Sequence, residues 1–321
     1  MSALVNLSVD LDSLSLYHRI HALEGDPDPR AIYAVALPRL LDLCARLQIR
    51  MTLFVVAADL QFDEAVTALR SAVAAGHEIA SHTLRHPYHL RELSESGIAE
   101  EIDEAARWIE ESLGVRPLGF RTPGYNLDSR ILALLAERGY RYDASIFPCP
   151  PYFAAKAAVM ARMAAKGQPT GSAANDPLAL LAPTSPYRPS RWGFWRRGDR
   201  KHSLPLWEIP CGVMPVTRLP VIGTTICALP DSGARLLARC FRAGQEKLSV
   251  AIHAIDLMDQ HDRGVQAILV AKQHDLRRPW QQKEAALTAF WETLMQTHRS
   301  VTLLEMTDAL DAEFGATVTG P

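Results

Sequence analysis

Apolar and polar positions along the chain alternate between two periods. Leu4, Val5, Leu7 and Val9 make a short apolar run of the kind a buried strand carries. From Ala31 to Leu47 the spacing turns helical, through Leu37, Leu40, Leu41, Cys44 and Leu47, and Pro38 suits the first turn. Met51 to Ala57 reads as a buried strand, Asp63 to Ala75 as a helix closed at Gly76, and His77 to Ser81 as the next strand. A helix over Ser94 to Leu113, with Ile98, Ile102, Ala105, Ile109 and Leu113 on one face, stops at Gly114. Phe120 follows, then a helix between an Asp128 N-cap and a Gly139 C-cap, then a strand over Tyr140 to Asp143.

The pattern breaks between Pro148 and Pro205 into Ala-rich, Gly/Pro/Ser/Asn-rich and aromatic-basic stretches, and a connection this long suits a lid or binding loop. It resumes at Leu206-Trp207-Glu208-Ile209. A helix over Ser232 to Ala243 leads to the strand Leu248 to His253, and a helix from Trp280 to His298, a strand over Val301 to Leu304 and a short helix end the chain. Strands alternating with helices predict βαβ units, a parallel sheet and chemistry in the loops at the strand C-termini. The expected organisation is one catalytic domain over 1–321 with an insertion or lid at 149–205, and no internal repeat.

Composition adds limits rather than identity. A chain of 321 residues, 48% hydrophobic and 22% charged, can bury a large core. A net charge of −2 gives no electrostatic case for nucleic acid. The start of the chain lacks a signal-peptide pattern and no run of about 18 apolar residues is present, so a soluble, cytoplasmic protein is expected. The five cysteines include no C-x-x-C pair, which argues for reduced thiols over a disulfide framework or structural zinc. No motif sets an oligomeric state.

Candidate chemistry clusters at the strand ends. Asp10 and Asp12 project to the same face from the end of the first strand, and two carboxylates that close need a cation or an arginine between them. His82 and His86, four apart after the strand His77 to Ser81, would share one face of a helical turn and converge on one ion. An Asp-His-His set leaves positions open for water, as a catalytic site requires. Arg121-Thr122-Pro123-Gly124-Tyr125 offers a guanidinium for a carboxylate and a turn whose N–H groups could face an oxyanion. Asp143, in Asp143-Ala144-Ser145, ends one strand as either a turn cap or a catalytic group, and His253 ends another as a candidate general acid. His18, His21, His77 and His89 read as structural or surface residues, and Asp256, Asp259, His261 and Asp262 as a solvated polar loop.

The order Asp-x-Asp, His-Thr-x-x-His-Pro, Arg-Thr-Pro-Gly-Tyr, Asp-x-Ser and a late strand-end His resembles the polysaccharide deacetylase (NodB-like) family, over about 4–150 and 206–304. The resemblance implies a distorted (β/α) barrel and a divalent-metal hydrolase of N- or O-acyl groups. Asp12, His82 and His86 would bind the metal, most simply Zn²⁺, with Fe, Co, Ni or Mn as alternatives. Asp10 would be the base that activates water, Arg121 its orienting partner, and a backbone N–H at Gly124 or Tyr125 the oxyanion donor. His253 would protonate the leaving amine from the far side of the carbonyl, with Asp143, Asp256 or Glu208 as its acidic partner. The pattern departs from the common one in Leu11 between the aspartates and in the Gly124-Tyr125 order.

The short segment Ile252 to Asp256 also resembles the late motif of an undecaprenyl-linked formamidoarabinose deformylase. The expected substrate is therefore an amino sugar carrying an acetyl or formyl group, lipid-linked or nucleotide-linked, from envelope glycan synthesis. Hydrolysis of a small allantoin-like cyclic amide and a non-catalytic glycan-binding module are the rivals. In the insertion, Tyr187, Trp192, Phe194 and Trp195 alternate with Arg188, Arg191, Arg196, Arg197, Arg200 and Lys201. That mixture suits either peripheral contact with a membrane through 186–201 or a basic loop whose aromatics tuck onto the barrel.

Overall fold

The first apolar run is the axis of the sheet. The computed structural model describes residues 3–25, 27–165, 167, 174–199 and 201–316. Its strands are β1 (Ala3–Asp10), β2 (Met51–Val55), β3 (Glu78–Ser81), β4 (Gly119–Phe120) and β5 (Tyr142–Asp143). There follow β6 (Pro189–Ser190), β7 (Gly193–Arg197), β8 (Trp207–Glu208), β9 (Lys247–His253) and β10 (His298–Ser300). β6 and β7 form a separate antiparallel hairpin. The other eight strands make one parallel sheet in which β1 pairs along its length with β9 on one side, and with β10 then β2 on the other. From β2 the order continues through β3, β4, β5 and β8. An isolated parallel bridge between Ile222 and Ala251 links the segment after β8 to β9. This curled parallel sheet with helices outside is the distorted (β/α) barrel that the sequence predicts.

Alternation along β1 assigns the two faces. Val5, Leu7 and Val9 pack into the main core with the outer helices, while Leu4 joins an inner cluster with Phe54, Ala80, Tyr142, Ala144 and Trp207. Asn6, Ser8 and Asp10 share that inner face. Their polar atoms are used inside the barrel: Asn6 Nδ2 donates to Thr52 Oγ1 at 3.2 Å and Ser8 Oγ to the Val250 carbonyl at 3.3 Å. Register then decides what meets at the top, because Asp10 lies opposite His253 on β9 and Phe54 on β2.

Several helix ends follow their local chemistry. Ser94 Oγ accepts from the Gly97 N–H to start the helix Glu95–Leu113, which ends at left-handed Gly114. Asp128 caps Ser129–Glu137 through the N–H groups of Arg130 and Ile131. The helix expected from Ala31 begins with one π turn, Ile32–Ala36, before the α segment Leu37–Leu47 that contains Pro38. The chain's end differs from expectation by three residues: the helix stops at Met295, the strand is His298–Ser300, and Leu303–Ala316 is helical. The cause is a capping box: the Glu305 N–H donates to Thr302 Oγ1 at 3.2 Å and the Thr302 N–H to Glu305 Oε2 at 2.9 Å. That reciprocal pair starts a helix where the apolar run Val301 to Leu304 suggests a strand.

The insertion contains a helix, Pro150–Ala165, a short 3₁₀ turn, Pro177–Leu181, and the β6–β7 hairpin. Tyr187 and Phe194 are buried in a core cluster with Phe120, Ile131 and Leu135, whereas Trp192 is 78% exposed. The tucked reading therefore holds for Tyr187 and Phe194, and half-buried Trp195 packs against the same cluster. Arg200 lies outside the described residues. No helix among the described residues is long and apolar enough to cross a membrane.

One buried carboxyl makes stability depend on pH. Asp59 accepts from Tyr33 Oη at 2.9 Å, and burial, with a smaller push from Asp12, raises its pKa to about 7 against that hydrogen bond. Between about pH 4 and 7 the native chain holds a proton that the unfolded chain has released. Stability from this group is therefore complete at low pH and falls as pH rises through the window, by up to about 1.4 kcal/mol per unit. Urea midpoints of the metal-free protein from pH 4.5 to 7.5 should fall less steeply in Asp59→Asn than in wild type; parallel curves would refute the assignment.

Candidate active site

Three loops and two strand ends converge at the top of the barrel. Asp12 follows β1, and its Oδ1 stands 3.2 Å from His86 Nε2 and 3.5 Å from His82 Nε2. All three residues are buried, and one ligand atom from each lies within 4.8 Å of the others. Burial alone would raise the Asp12 pKa, but His86 and His82 outweigh it and hold the carboxyl well below its usual value. The imidazoles move in opposite directions: Asp12 and Asp10 raise His82 against burial, while burial prevails at His86 and lowers it. The ionised Asp12 is the firm element, since two ring nitrogens within 3.5 Å favour its charge.

The histidines do not converge by a helical turn. Residues 82–87 form a loop in which Thr83 (φ +69°) and His86 (φ +56°) take left-handed conformations that L-residues seldom adopt. Long-range contacts hold it there. Ala57 and Ala58 N–H groups donate to the carbonyls of Thr83 and Leu84 at 3.0 and 2.8 Å, and Glu101 Oε2 accepts from the Arg85 N–H at 2.9 Å. Inside the loop the His86 N–H donates to Thr83 Oγ1 at 2.9 Å.

The residues present fit a divalent cation. Asp12 Oδ1 and both ring nitrogens of His86 are buried without a hydrogen-bond partner, an arrangement costly unless something else binds them. His82 Nδ1 lies 2.7 Å from the Arg121 carbonyl. Donation to that oxygen fixes the tautomer and leaves Nε2 as a lone pair beside Asp12, the support a metal-binding histidine needs.

Asp10 is held differently. The Arg121 guanidinium is fully buried and donates from Nη1 to Asp10 Oδ1 at 2.5 Å, from Nη2 to Ser8 Oγ at 2.9 Å and from Nε to the Ala144 carbonyl at 2.8 Å. Its Cζ lies 4.1 Å from the centre of the Phe54 ring. Burial opposes the guanidinium's charge, but Asp10 reverses the balance and raises its pKa. Each guanidinium nitrogen thus has an acceptor, which offsets part of the cost of burying the charge.

His253 Nε2 stands 3.6 Å from Asp10 Oδ2. The expected base and acid therefore sit side by side on paired strands. Of the three candidate acidic partners, Asp256 is the neighbour. Its Oδ2 accepts the His253 backbone N–H at 2.9 Å, its own N–H is received by the His253 side chain, and Thr224 Oγ1 donates to its Oδ1 at 2.9 Å. Gly223 leaves room for that carboxylate, since a Cβ there would lie 2.1 Å from Asp256 Oδ2.

Asp143 is not brought to the cleft. It is buried opposite Glu208 in the β5–β8 register and accepts from the Ser145 N–H at 3.0 Å and Oγ at 2.7 Å, and Ser145 Oγ receives the Thr122 N–H at 2.8 Å. The turn role holds, and its effect reaches the site through Thr122, next to Arg121. Burial and the facing Asp143 raise Glu208 well above the usual carboxylate range, so the pair keeps a proton between two groups that cannot both ionise.

The cleft above these groups encloses about 330 Å³, and Asp10, Asp12, His82, Tyr125 and His253 all reach it. Apolar and aromatic side chains make most of its wall, among them Tyr17, Tyr88, Ile222 and Ile255. Tyr152, Lys156, Val159 and Met160 come from the insertion helix. Of these, Tyr88 stands two residues past His86, a cue to its place; the insertion helix has no motif to announce it. Ser8, which receives Arg121, was legible only as a polar residue in an apolar strand.

The parallel barrel thus sets a buried Asp-His-His cluster that could hold a divalent cation beside an arginine-paired aspartate. Residues 28–142 match the family model for polysaccharide deacetylase. A stretch of 102 residues is 32% identical to chitin deacetylase 1 of Cryptococcus neoformans, covering 32% of this chain and 21% of that protein. Another, of 126 residues, is 27% identical to peptidoglycan-N-acetylglucosamine deacetylase of Bacillus cereus, covering 38% and 54%. The chain thus spans no more than about half the length of these curated relatives. The same fold is seen in a Mycobacterium smegmatis structure described as a polysaccharide deacetylase, with TM-score 0.58, 18% identity and coverage of 98% of this chain and 92% of that one. PuuE allantoinase gives TM-score 0.58, 18% identity and coverage of 96% and 90%.

Losing an outer-sphere partner costs metal sites about 10–100-fold, so losing a ligand should cost about 100-fold or more in affinity. Calorimetric titration with Zn²⁺ is expected to give one ion per chain in wild type and in Asp10→Asn, and to lose that binding in His82→Ala and His86→Ala. Retention in both histidine variants would overturn the ligand set.

Proposed function

We propose that the protein is a metal-dependent amidohydrolase that removes an acetyl or formyl group from the nitrogen of an amino sugar. The observation that carries this reading is the pairing of two aspartates two residues apart with different partners: Asp12 with two imidazoles, Asp10 with Arg121. A divalent cation held by Asp12, His82 and His86, most simply Zn²⁺, would supply Lewis acidity to the acyl oxygen and to a water molecule. Asp10, aligned by Arg121, takes the proton from that water. His253, at the accessible end of β9, returns a proton to the leaving nitrogen. A backbone N–H in the Gly124-Tyr125 turn meets the developing oxyanion. The names of the relatives support a sugar substrate, and its origin in envelope glycan synthesis and its lipid- or nucleotide-linked form are part of the proposal.

One observation favours a second reading. The cleft is small, largely apolar and walled on one side by the insertion helix, which also suits a compact cyclic amide of the allantoin type. A single panel decides between them: acetate and formate release from lipid-linked and nucleotide-linked amino sugars, set against ring opening of small cyclic amides. We expect acyl release, with Asp10→Asn lowering turnover by about 10²- to 10⁴-fold while metal stays bound. Ring opening without acyl release, or full activity in Asp10→Asn, would defeat the proposal.

Peripheral membrane contact through 186–201 is the remaining part. It is supported by exposed Trp192 flanked by exposed Arg191, Arg196 and Arg197. The triple variant Trp192→Ser, Arg191→Ser, Arg196→Ser should lose co-sedimentation with vesicles containing phosphatidylglycerol and keep its thermal midpoint. Undiminished co-sedimentation would remove the contact.

A further inference from the structure

The insertion does more than wall the cleft. Gly124 (φ +61°) and Tyr125 (φ +59°) are two consecutive left-handed residues in the turn that follows Arg121. Glycine is required at the first of them, since a Cβ would stand 2.8 Å from the Tyr88 ring. At the second, a tyrosine adopts a conformation that L-residues avoid, so something outside the turn has to hold it.

Two side chains of the insertion do so. Lys156 Nζ donates to the Gly124 carbonyl at 3.2 Å and to Asn175 Oδ1 at 2.6 Å. Asn175 Nδ2 donates to the Gly124 carbonyl at 2.9 Å and to the Tyr125 carbonyl at 2.6 Å. In a trans peptide the C=O and the following N–H point in opposite directions. Drawing the Gly124 oxygen toward the insertion therefore turns the Tyr125 N–H to the Thr122 side of the loop, where its internal acceptor, the Thr122 carbonyl, lies at a long 3.2 Å. Tyr152, from the same helix as Lys156, packs edge-on against the Tyr125 ring at 5.8 Å, and that ring in turn faces His253 at 6.3 Å. Burial lowers the Lys156 pKa to about 8, as expected for an ammonium drawn out of water to reach these acceptors.

We propose that Lys156 and Asn175 are positioning residues for the reaction: a clamp carried by the insertion sets the direction of the backbone N–H that receives the oxyanion. The catalytic half of this inference rests on the amidohydrolase reading. The structural half stands on the hydrogen bonds alone.

The test compares wild type with Lys156→Met, Asn175→Leu, the double variant and Lys156→Arg, each checked for an unchanged thermal midpoint and metal stoichiometry. Amide hydrogen exchange over residues 122–127, read by mass spectrometry on the metal-free protein, should accelerate in Lys156→Met and Asn175→Leu. On whichever amide substrate the wild type hydrolyses, kcat should fall about 30-fold or more in each, approaching the loss of an oxyanion donor, with KM within about twofold. The double variant should be no worse than the weaker single, because both side chains act through the same peptide planes. Lys156→Arg, which keeps a donor, should recover most of kcat. Unchanged exchange in both variants would show that there is no clamp. Faster exchange with unchanged kcat, or a loss confined to KM, would show that the clamped loop does not serve the oxyanion. A wild type inactive on every amide would sink the amidohydrolase reading and with it the catalytic half, while the exchange data would still decide the clamp.

Discussion

Arg121 is the residue on which the geometry of the site turns, because both ends of it are committed. Its guanidinium, without solvent contact, spends its donors on Asp10, Ser8 and the Ala144 carbonyl. Its own carbonyl receives His82 Nδ1, and its N–H donates to the Ser81 carbonyl at 3.1 Å. One residue therefore fixes the orientation of an aspartate on β1 and of an imidazole after β3. A buried guanidinium missing an acceptor would be penalised by several kcal/mol, about 3–5 when a buried charge is stranded. The strand ends around it are correspondingly constrained: Ser8 must be polar, Ala144 must present its carbonyl, and Ser145 must hold the neighbouring Thr122.

Carboxyl groups inside the barrel survive by three separate devices, and the differences assign their work. Asp10 is paired with the buried Arg121 guanidinium, a permanent cation. Asp12 faces two imidazoles, and its Oδ1 and the His86 nitrogens have no protein partner to satisfy them, which makes it the group that gains most from an ion. Asp143 and Glu208 have neither, and keep a proton between them. Of these four carboxyl groups, only Asp10 and Asp12 reach the cleft. The interior thus sets an arginine-paired carboxyl group two residues from a cluster that fits a cation.

Much of this was legible in the sequence because it is written in short spacings. The two-residue step from Asp10 to Asp12, the serine and aspartate N-caps at Ser94 and Asp128, and the stop at Gly114 are local rules, and the structure follows them. Where expectation and structure part, the deciding contacts are distant or compete with a local pattern. The four-residue spacing of His82 and His86 suggests a helical turn, yet Glu101 and the N–H groups of Ala57 and Ala58 hold that segment in a left-handed loop. The apolar run Val301 to Leu304 suggests a strand, yet the Thr302 and Glu305 capping box begins a helix inside it. Asp143 ends a strand as expected, but which way it faces depends on Glu208, 65 positions later in the chain.

The insertion is the part that periodicity could not place, and the reason is physical. Its helix Pro150–Ala165 has only Met163 fully buried, so it carries no strong apolar stripe to predict a docking face. It is held against the barrel by polar contacts to carbonyls of a single strained turn and by aromatic edges on Tyr125. Such contacts are satisfied only when the turn has its left-handed shape. The shape of the cleft is therefore a joint property of the stretch that matches the family model and a segment outside that match.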